Sequence, residues 1–436
     1  MSTTELFLDE AEIAEFIRET TSEPQWFFGY EGAELGICPY ITFYVYHDED
    51  GFMPVADQMI EIFKTFESSI VDKPFALVWR DETQDWLQLG DPKLSKDLHQ
   101  DALRNQQKLE MFMIGATDME STAQSALWSF RAKVDPGNGN SYTRLKLTFN
   151  HKWYRQNRSK WHAFVKDCLY RLKPEHCYSG FEVGNGDFNI IGSYEADVLE
   201  RVCADYFYGM DIDHPGKMSF HHLREDEYRC ELPNVLGAGI RTPTWSFMLS
   251  PHWQDQLGKT EAQIRAELED PRIVITAIDY PKGRLNPQGK PGLWIRLGEL
   301  DLYPVEKGVP ELLVKANRLI RPIRCDALKL LTLDPWDDDP NPRFDFESSM
   351  RWMRRFDANC DWPSTEVRAK TAPPSQPQAA RGLPGERVPV SGLWWTPALK
   401  GAQGQRRFEA GETFPATEHS DWGAVIWYLD TTAPQD

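Results

Sequence analysis

The sequence has no run approaching the roughly 18 continuous apolar residues of a membrane-spanning helix. It also lacks paired cysteines. The seven present (Cys38, Cys168, Cys177, Cys203, Cys230, Cys325 and Cys360) are odd in number, scattered and without a Cys-x-x-Cys pair. That excludes a disulfide framework and a multi-cysteine zinc site, and leaves most of them as expected buried thiols. Positive charge is scarce relative to negative: 48 Lys and Arg stand against 67 Asp and Glu, a formal net charge of −19. Such a surface repels nucleic acid and anionic lipid and favours basic partners, a basic protein toxin among them. Residues Met1 to Glu10 show neither a basic n-region nor a long apolar h-region, so no secretory signal is read there and a cytoplasmic location is expected.

Catalytic signatures are missing as well. Gly283 to Lys290 superficially resembles a phosphate-binding loop, but five residues separate its glycines and Pro291 stands where a magnesium-binding Ser or Thr belongs. It reads as a turn between strands. Gly184-Asn-Gly-Asp lacks the third glycine of a dinucleotide fingerprint, and no Gly-x-Ser-x-Gly nucleophile elbow occurs. Asp211, Asp213, His214, His221, His222 and Cys230 are close enough in sequence to hold a transition ion, yet their spacing matches no established zinc pattern. A polar loop after Gly209 is the simpler expectation. Neither a metal nor a cofactor is expected, and the protein is read as non-enzymatic.

What is present is ample apolar material. At 436 residues, 41% apolar and with 16 Trp, the chain has enough to bury a sizeable core. A short helix is expected over Asp9 to Ile17. Ile41 to Tyr46 is β-branched and aromatic, a strand, and Val55, Met59, Ile62, Phe63 and Phe66 then recur at helical spacing before a strand at Phe75 to Trp79. The plan repeats: Leu145 to Phe149 is a strand, Trp161, Phe164, Val165, Cys168, Leu169 and Leu172 form a helix face, and Tyr178 to Phe181 is a strand. A helix around Tyr194 to Phe207 follows. Trp245, with the segment Gln254 to Leu268, makes a third strand-then-helix unit. Strands at Ile273 to Ile278 and Lys290 to Glu299 and a helix carrying Leu312, Leu313, Ala316, Leu319 and Ile320 complete the pattern. The fold class is α+β, a mainly antiparallel sheet covered by helices and built from repeated strand-helix units, with a small β-rich C-terminal appendage.

The chain divides by composition into a lead-in (residues 1–24), a body (25–362), a Pro-rich linker (363–387) and a C-terminal module (388–436). Thr371 to Ala380 is proline-rich without an aromatic, whereas Gly392-Leu-Trp-Trp-Thr-Pro, Arg406-Arg-Phe-Glu-Ala-Gly-Glu and Asp421 to Asp430 read as short strands. In so small a module Trp394, Trp395, Trp422 and Trp427 are expected mainly as core. It is expected to dock on the body or on a partner. The run Asp334-Pro-Trp-Asp-Asp-Asp-Pro-Asn-Pro342 lacks the alternating pattern of a calcium loop. It is a solvated acidic loop or, more pointedly, a contact surface in which Trp336 anchors and Asp337, Asp338, Asp339 and Asp345 answer a basic partner.

Several words of the second half carry a family resemblance. Trp245-Ser-Phe-Met-Leu249, the turn at Leu257-Gly258, the late Gly298-Glu299 and the ending Arg355-Phe356-Asp357 resemble TsiV-like type VI secretion immunity proteins. The Trp/Gly-rich words of the tail resemble a module found in other type VI immunity proteins. The resemblance implies a non-enzymatic antidote that binds a cognate effector toxin encoded by an adjacent gene, with no nucleic-acid or membrane partner. A cytoplasmic target such as that of a nuclease follows from the expected location. An adaptor that loads an effector and a metal-dependent hydrolase using Asp211, Asp213, His214 and His222 are the alternatives.

Overall fold

In this computed structural model the long strand β2 (Ala33–Val45) organises the body, because it contributes to both cores: Ile41, Phe43 and Val45 enter one, and Leu35 and Ile37 near its start and Tyr44 near its end enter the other. The structure describes residues 10–25, 27–30, 33–47, 51–80, 85–94, 97–120, 124–136, 143–184, 193–213, 220–224, 227–230, 239–326, 344–363, 381–396, 399, 404–415 and 425–429. They form two compact units, Met1–Thr371 and Ala372–Asp436.

In the first unit β2 pairs antiparallel with β7 (Thr143–Thr148) on one edge and β8 (His176–Val183) on the other, and also with β1 (Phe27–Tyr30). Beyond β7 the sheet continues through β6 (Ser129–Val134), β5 (Phe112–Thr117), β3 (Leu77–Arg80) and β4 (Asp85–Gln88). Beyond β8 come β11 (Ser246–Leu249), β13 (Gly292–Leu297) and β12 (Ile273–Ile278). This 11-stranded sheet is antiparallel at every pairing. A separate hairpin joins β9 (Phe220–Arg224) and β10 (Glu227–Cys230).

The expected strand-helix repetition takes a definite topological form. β7 and β8 flank β2 and are joined across it by α4 (His151–Gln156) and α5 (Arg158–Leu172). Likewise β11 and β12 flank β13 and are joined by α7 (Pro251–Leu257) and α8 (Glu261–Glu267). Each is a split strand-helix-strand unit with an antiparallel strand inserted. The single segment expected over Gln254 to Leu268 is thus two helices. Gly258 ends α7 at φ 67°, a left-handed conformation that favours glycine, and Thr260 opens α8 with a reciprocal cap to Gln263.

Helices cover opposite faces at the two ends of the sheet. α2 (Phe52–Thr65), α3 (Leu98–Lys108) and α5 pack Met59, Ala102 and Phe164 into one core, together with Phe130 and Leu147. α1 (Glu10–Ser22), α6 (Ser193–Tyr206), α7, α8, α9 (Glu311–Ile320) and α10 (Phe346–Met353) line the other, with Phe247 and Ile295 beneath them. Two cores of this size supply the burial that the apolar composition implied. Of the strands β4, β5 and β6, which sequence periodicity passed over, β6 interrupts its apolar residues with Arg131 and Lys133, β5 is buried at five of its six positions and β4 is only four residues long, so none shows a clear alternation.

The second unit is a four-stranded antiparallel sheet, β14 (Arg381–Gly382), β17 (Trp427–Leu429), β15 (Gly392–Trp395) and β16 (Gln405–Phe408) in spatial order. β14 lies inside residues 363–387, the stretch read as linker. Its Gly382 admits the Phe414 ring, which a Cβ would meet at 1.9 Å. Val388, Trp394, Phe408, Phe414, Val425 and Trp427 form the core.

Candidate functional site

The segment after α6 is drawn onto the middle of the sheet, where Met210 bridges Phe181 of β8, instead of looping into solvent. Gly209 makes this possible: its N–H donates to the Leu302 carbonyl at 2.8 Å, and a Cβ there would lie 2.0 Å from the Asp301 carbonyl oxygen. Asp211 and Asp213 follow, 1% and 3% exposed, separated by the fully buried Ile212. The expectation of a polar loop therefore fails for residues 209–213. Apolar Met210 and Ile212 alternate with the two aspartates, and that alternation was the available signal of a strand-like, buried run.

Two buried carboxylates require compensation. Arg241 supplies it. Its Nη2 donates to Asp211, its Nη1 to Asp213 Oδ1 at 3.0 Å and to the Ile212 carbonyl at 2.7 Å, and its guanidinium lies 4.4 Å from the Tyr178 ring centroid. Strand β2 provides three hydroxyls: Tyr40 donates to Asp211, Thr42 to Asp213 at 2.6 Å and Tyr44 to Asp213 at 2.6 Å. From β7, Lys146 donates to Glu182 at 2.7 Å and to the Asp213 carbonyl at 3.0 Å. Burial works against ionisation of Asp213, but Lys146 and Arg241 outweigh it and hold the carboxyl below its ordinary range.

Asp211 Oδ2 and both oxygens of Asp213 are occupied by a guanidinium, an ammonium and three hydroxyls, while Asp211 Oδ1 is buried without a hydrogen-bond partner among the described residues. Among the described residues no group of three or more His, Cys, Asp or Glu could hold a metal ion. The side chains of His214, His221, His222 and Cys230 lie outside the described residues. Sequence reasoning missed Arg241, Lys146 and Tyr40 because they come from the segment before β11, from β7 and from β2, and no local spacing joins them. The six cysteines whose side chains are described are unbridged, as the scattered spacing implied.

A second ionic centre sits at the end of the body. Arg324 grips Asp357 with two parallel donations, both 3.0 Å, and Asn317 of α9 adds a third at 2.7 Å. Next to it Arg355 lies 3.8 Å from the Trp352 ring centroid and 4.4 Å from that of Phe356. The Arg355-Phe356-Asp357 word is thus one stacked cation, one core aromatic and one clamped carboxylate.

At the surface, a cleft of about 650 Å³ opens between the end of α1 and helix α4, walled by Pro24, Gln25, Leu127, His151, Lys152 and Arg155. A smaller one of about 290 Å³ shares Pro24, His151 and Arg155 with it. Burial, then Arg155 and Arg158, depress the His151 imidazole to about 4, so it is neutral near pH 7. Of the contact residues expected from sequence, Trp336, Asp337, Asp338 and Asp339 lie outside the described residues. Asp345 is the exposed N-cap of α10: it accepts from the Ser348 N–H at 2.7 Å, while its own N–H donates to Ser348 Oγ at 2.9 Å. In the tail, Trp394 and Trp427 are core, Trp395 is exposed and Trp422 is outside the described residues.

The comparisons agree with this architecture. No curated protein matches the chain. Among solved structures a Pseudomonas aeruginosa T6SS protein shares the fold, with a TM-score of 0.61 at 16% identity over 82% of this chain and 94% of its own. A model of the TsiV family, described as type VI immunity for VRR-NUC, matches residues 58–356, more than half of the chain. That span runs from within α2 to Phe356 and includes Lys146, Asp211, Asp213, Arg241 and Arg324, and the chain belongs to the TsiV family of type VI immunity proteins.

Proposed function

We propose that this protein is the antidote to a type VI effector of the VRR-NUC kind, binding the toxin stoichiometrically and blocking it without chemistry of its own. The observation that carries this is the family match over residues 58–356. Two features support a binding mode free of catalysis. Asp211 and Asp213, the aspartates on which the hydrolase alternative rests, are neutralised by Arg241 and Lys146 inside the protein. The net charge of −19 suits capture of a protein whose own substrate is a polyanion.

The effector acts in the cytoplasm in this reading and is encoded beside its antidote. No helix of the described residues is long and apolar enough to cross a membrane, which agrees with a partner met in an aqueous compartment. The proposed contact is the acidic run Trp336, Asp337, Asp338 and Asp339, with Asp345 holding its far end by capping α10. Charge-steered association serves an antidote well, because the toxin must be found before it reaches its substrate.

Co-expression with the effector from the adjacent gene tests the proposal. Growth rescue and a stoichiometric complex are expected from the wild type, and a large loss of affinity and rescue from Asp337→Lys/Asp338→Lys/Asp339→Lys. Absence of both rescue and complex in the wild type removes the antidote reading. Loss of effector delivery without sensitivity to neighbouring cells indicates an adaptor instead.

A further inference from the structure

Three donors on α4 line the larger of the two surface clefts. His151 and Arg155 stand four residues apart and Lys152 and Arg155 three apart, spacings that bring side chains together on a helix. All three wall the cleft of about 650 Å³, with Glu23, Pro24 and Gln25 on its other side. This wall is fixed in place. The His151 ring stacks on Tyr154, centroids 6.4 Å apart and planes inclined at 23°, and its centroid lies 5.3 Å from that of Phe181. The His151 backbone N–H donates to Gln25 Oε1 at 2.6 Å, which ties α4 to the far side.

Lys152 and Arg155 are exposed, and among the described residues neither has an ion-pair or hydrogen-bond partner. The ring nitrogens of His151 have no hydrogen-bond partner there either. Three carboxylates lie nearby. Glu23 is on the far side of the larger cleft. In the smaller cleft Glu299 is engaged by Arg158 and by the Tyr154 hydroxyl, each at 3.2 Å, and Asp301 accepts from the Tyr303 N–H at 2.8 Å. The cations prevail at His151: after burial, Arg155 and Arg158 depress its imidazole to about 4, and Asp301 opposes them more weakly. Near pH 7 the neutral ring offers one N–H.

An ammonium, a guanidinium and an imidazole N–H therefore converge with no described acceptor. A phosphate monoester brings three strong acceptor oxygens and roughly two negative charges near pH 7. A carboxylate brings only two oxygens and one charge, a poorer match to three donors. The cleft has the volume of a small-molecule site, and Pro24 and Leu127 give it an apolar wall, which suits an organic group on the phosphate in place of a bare ion. We propose that this cleft binds a small phosphate monoester, with Lys152 and Arg155 holding the phosphate beside His151 and with Pro24 and Leu127 against the organic group. The site is independent of the antidote reading, because it invokes no effector.

Calorimetric titration of the purified full-length protein with AMP and with phenyl phosphate is the test, with inorganic phosphate and adenosine as the partial ligands. Saturable binding of an ester is expected, at least tenfold tighter than that of inorganic phosphate or adenosine. Lys152→Glu/Arg155→Glu is expected to weaken it at least tenfold. Both side chains are exposed and belong to neither core, and an unchanged far-ultraviolet circular dichroism spectrum verifies that the fold is kept. A second measurement needs no variant: in proton NMR the His151 ring titrates at a higher pH with the ester bound, because a phosphate dianion stabilises the imidazolium. Absence of saturable binding by both esters, affinity within twofold of wild type in the charge-reversal pair, or a His151 titration unmoved by saturating ester overturns the inference. Inorganic phosphate bound as tightly as the esters assigns the cleft to a free anion, and adenosine bound as tightly as AMP assigns it to an uncharged ring. Either result also overturns it.

Discussion

The buried centre of the body and the small C-terminal sheet treat charge in opposite ways. In the body, Arg241, Lys146, Asp211, Asp213 and Glu182 are all at most 4% exposed, and each is held by partners drawn from separate strands. Among the described residues of the tail the interior holds no charge, Thr396 being the buried polar residue beside the aromatics, and the arginines lie outside. A sheet of 11 strands with helices over it can enclose a polar network and still bury two large apolar cores. A four-stranded sheet cannot, because any ion placed in its single layer of side chains would displace the aromatics that hold it together. The lesson is that buried charge here fixes how distant strands are joined, while burial of aromatics supplies the stability.

The sharpest way to break the contrast is to remove the cation from the body. Arg241→Ala leaves Asp211 and Asp213 with too few partners and is expected to cost about 3–5 kcal/mol, read as a lower urea midpoint. A loss below about 1 kcal/mol would mean that water replaces the guanidinium and that the centre is not closed. The matching change in the tail is Trp394→Ala, expected to cost about 3 kcal/mol or more. Here the damage should be local: amide exchange accelerates over residues 381–429 and stays unchanged in the body. Faster exchange throughout β2 and β8 would show that the two units fold together.

A smaller effect sharpens the body side. Glu175, between α5 and β8, is buried, and its carboxyl is pushed up to about 7 against one opposing hydrogen bond from Ser250. A raised carboxyl costs nothing below the unfolded value near 4.5. Its cost grows as pH climbs from there and is complete above about 7. Glu175→Gln should therefore match wild type at pH 4 and exceed it at pH 8, by on the order of 2 kcal/mol. Identical pH profiles for the two proteins would show that Glu175 reaches solvent. Its sign is opposite to that of His151 and His162, both depressed to about 4 mainly by burial, which lose stability as pH falls from 6.5.

Much of the fold was legible wherever periodicity was strong. The helices over Phe52–Thr65, Arg158–Leu172 and Glu311–Ile320 and the strand Ile273–Ile278 lie where their apolar spacing placed them. The strand Ser129–Val134 did not announce itself, since its less buried Arg131 and Lys133 interrupt the apolar signal, and Phe112–Thr117, buried at five of its six positions, shows no alternation. The site was less legible still. Asp211 and Asp213 were visible as a pair, but a metal and an arginine satisfy the same carboxylates, and sequence spacing does not distinguish them.

By itself the sequence determined the absence of a disulfide framework, the acidic surface, the antiparallel α+β class and the family words at Trp245–Leu249 and Arg355–Asp357. Those properties follow from composition and from local pattern, which each segment carries alone. Tertiary structure decided that Arg241 and Lys146, from separate parts of the chain, converge on Asp211 and Asp213. It also decided which of two adjacent tryptophans, Trp394 or Trp395, faces the core. Both outcomes depend on strand order and register, and register is set by which distant strands pair, a choice that no single segment encodes.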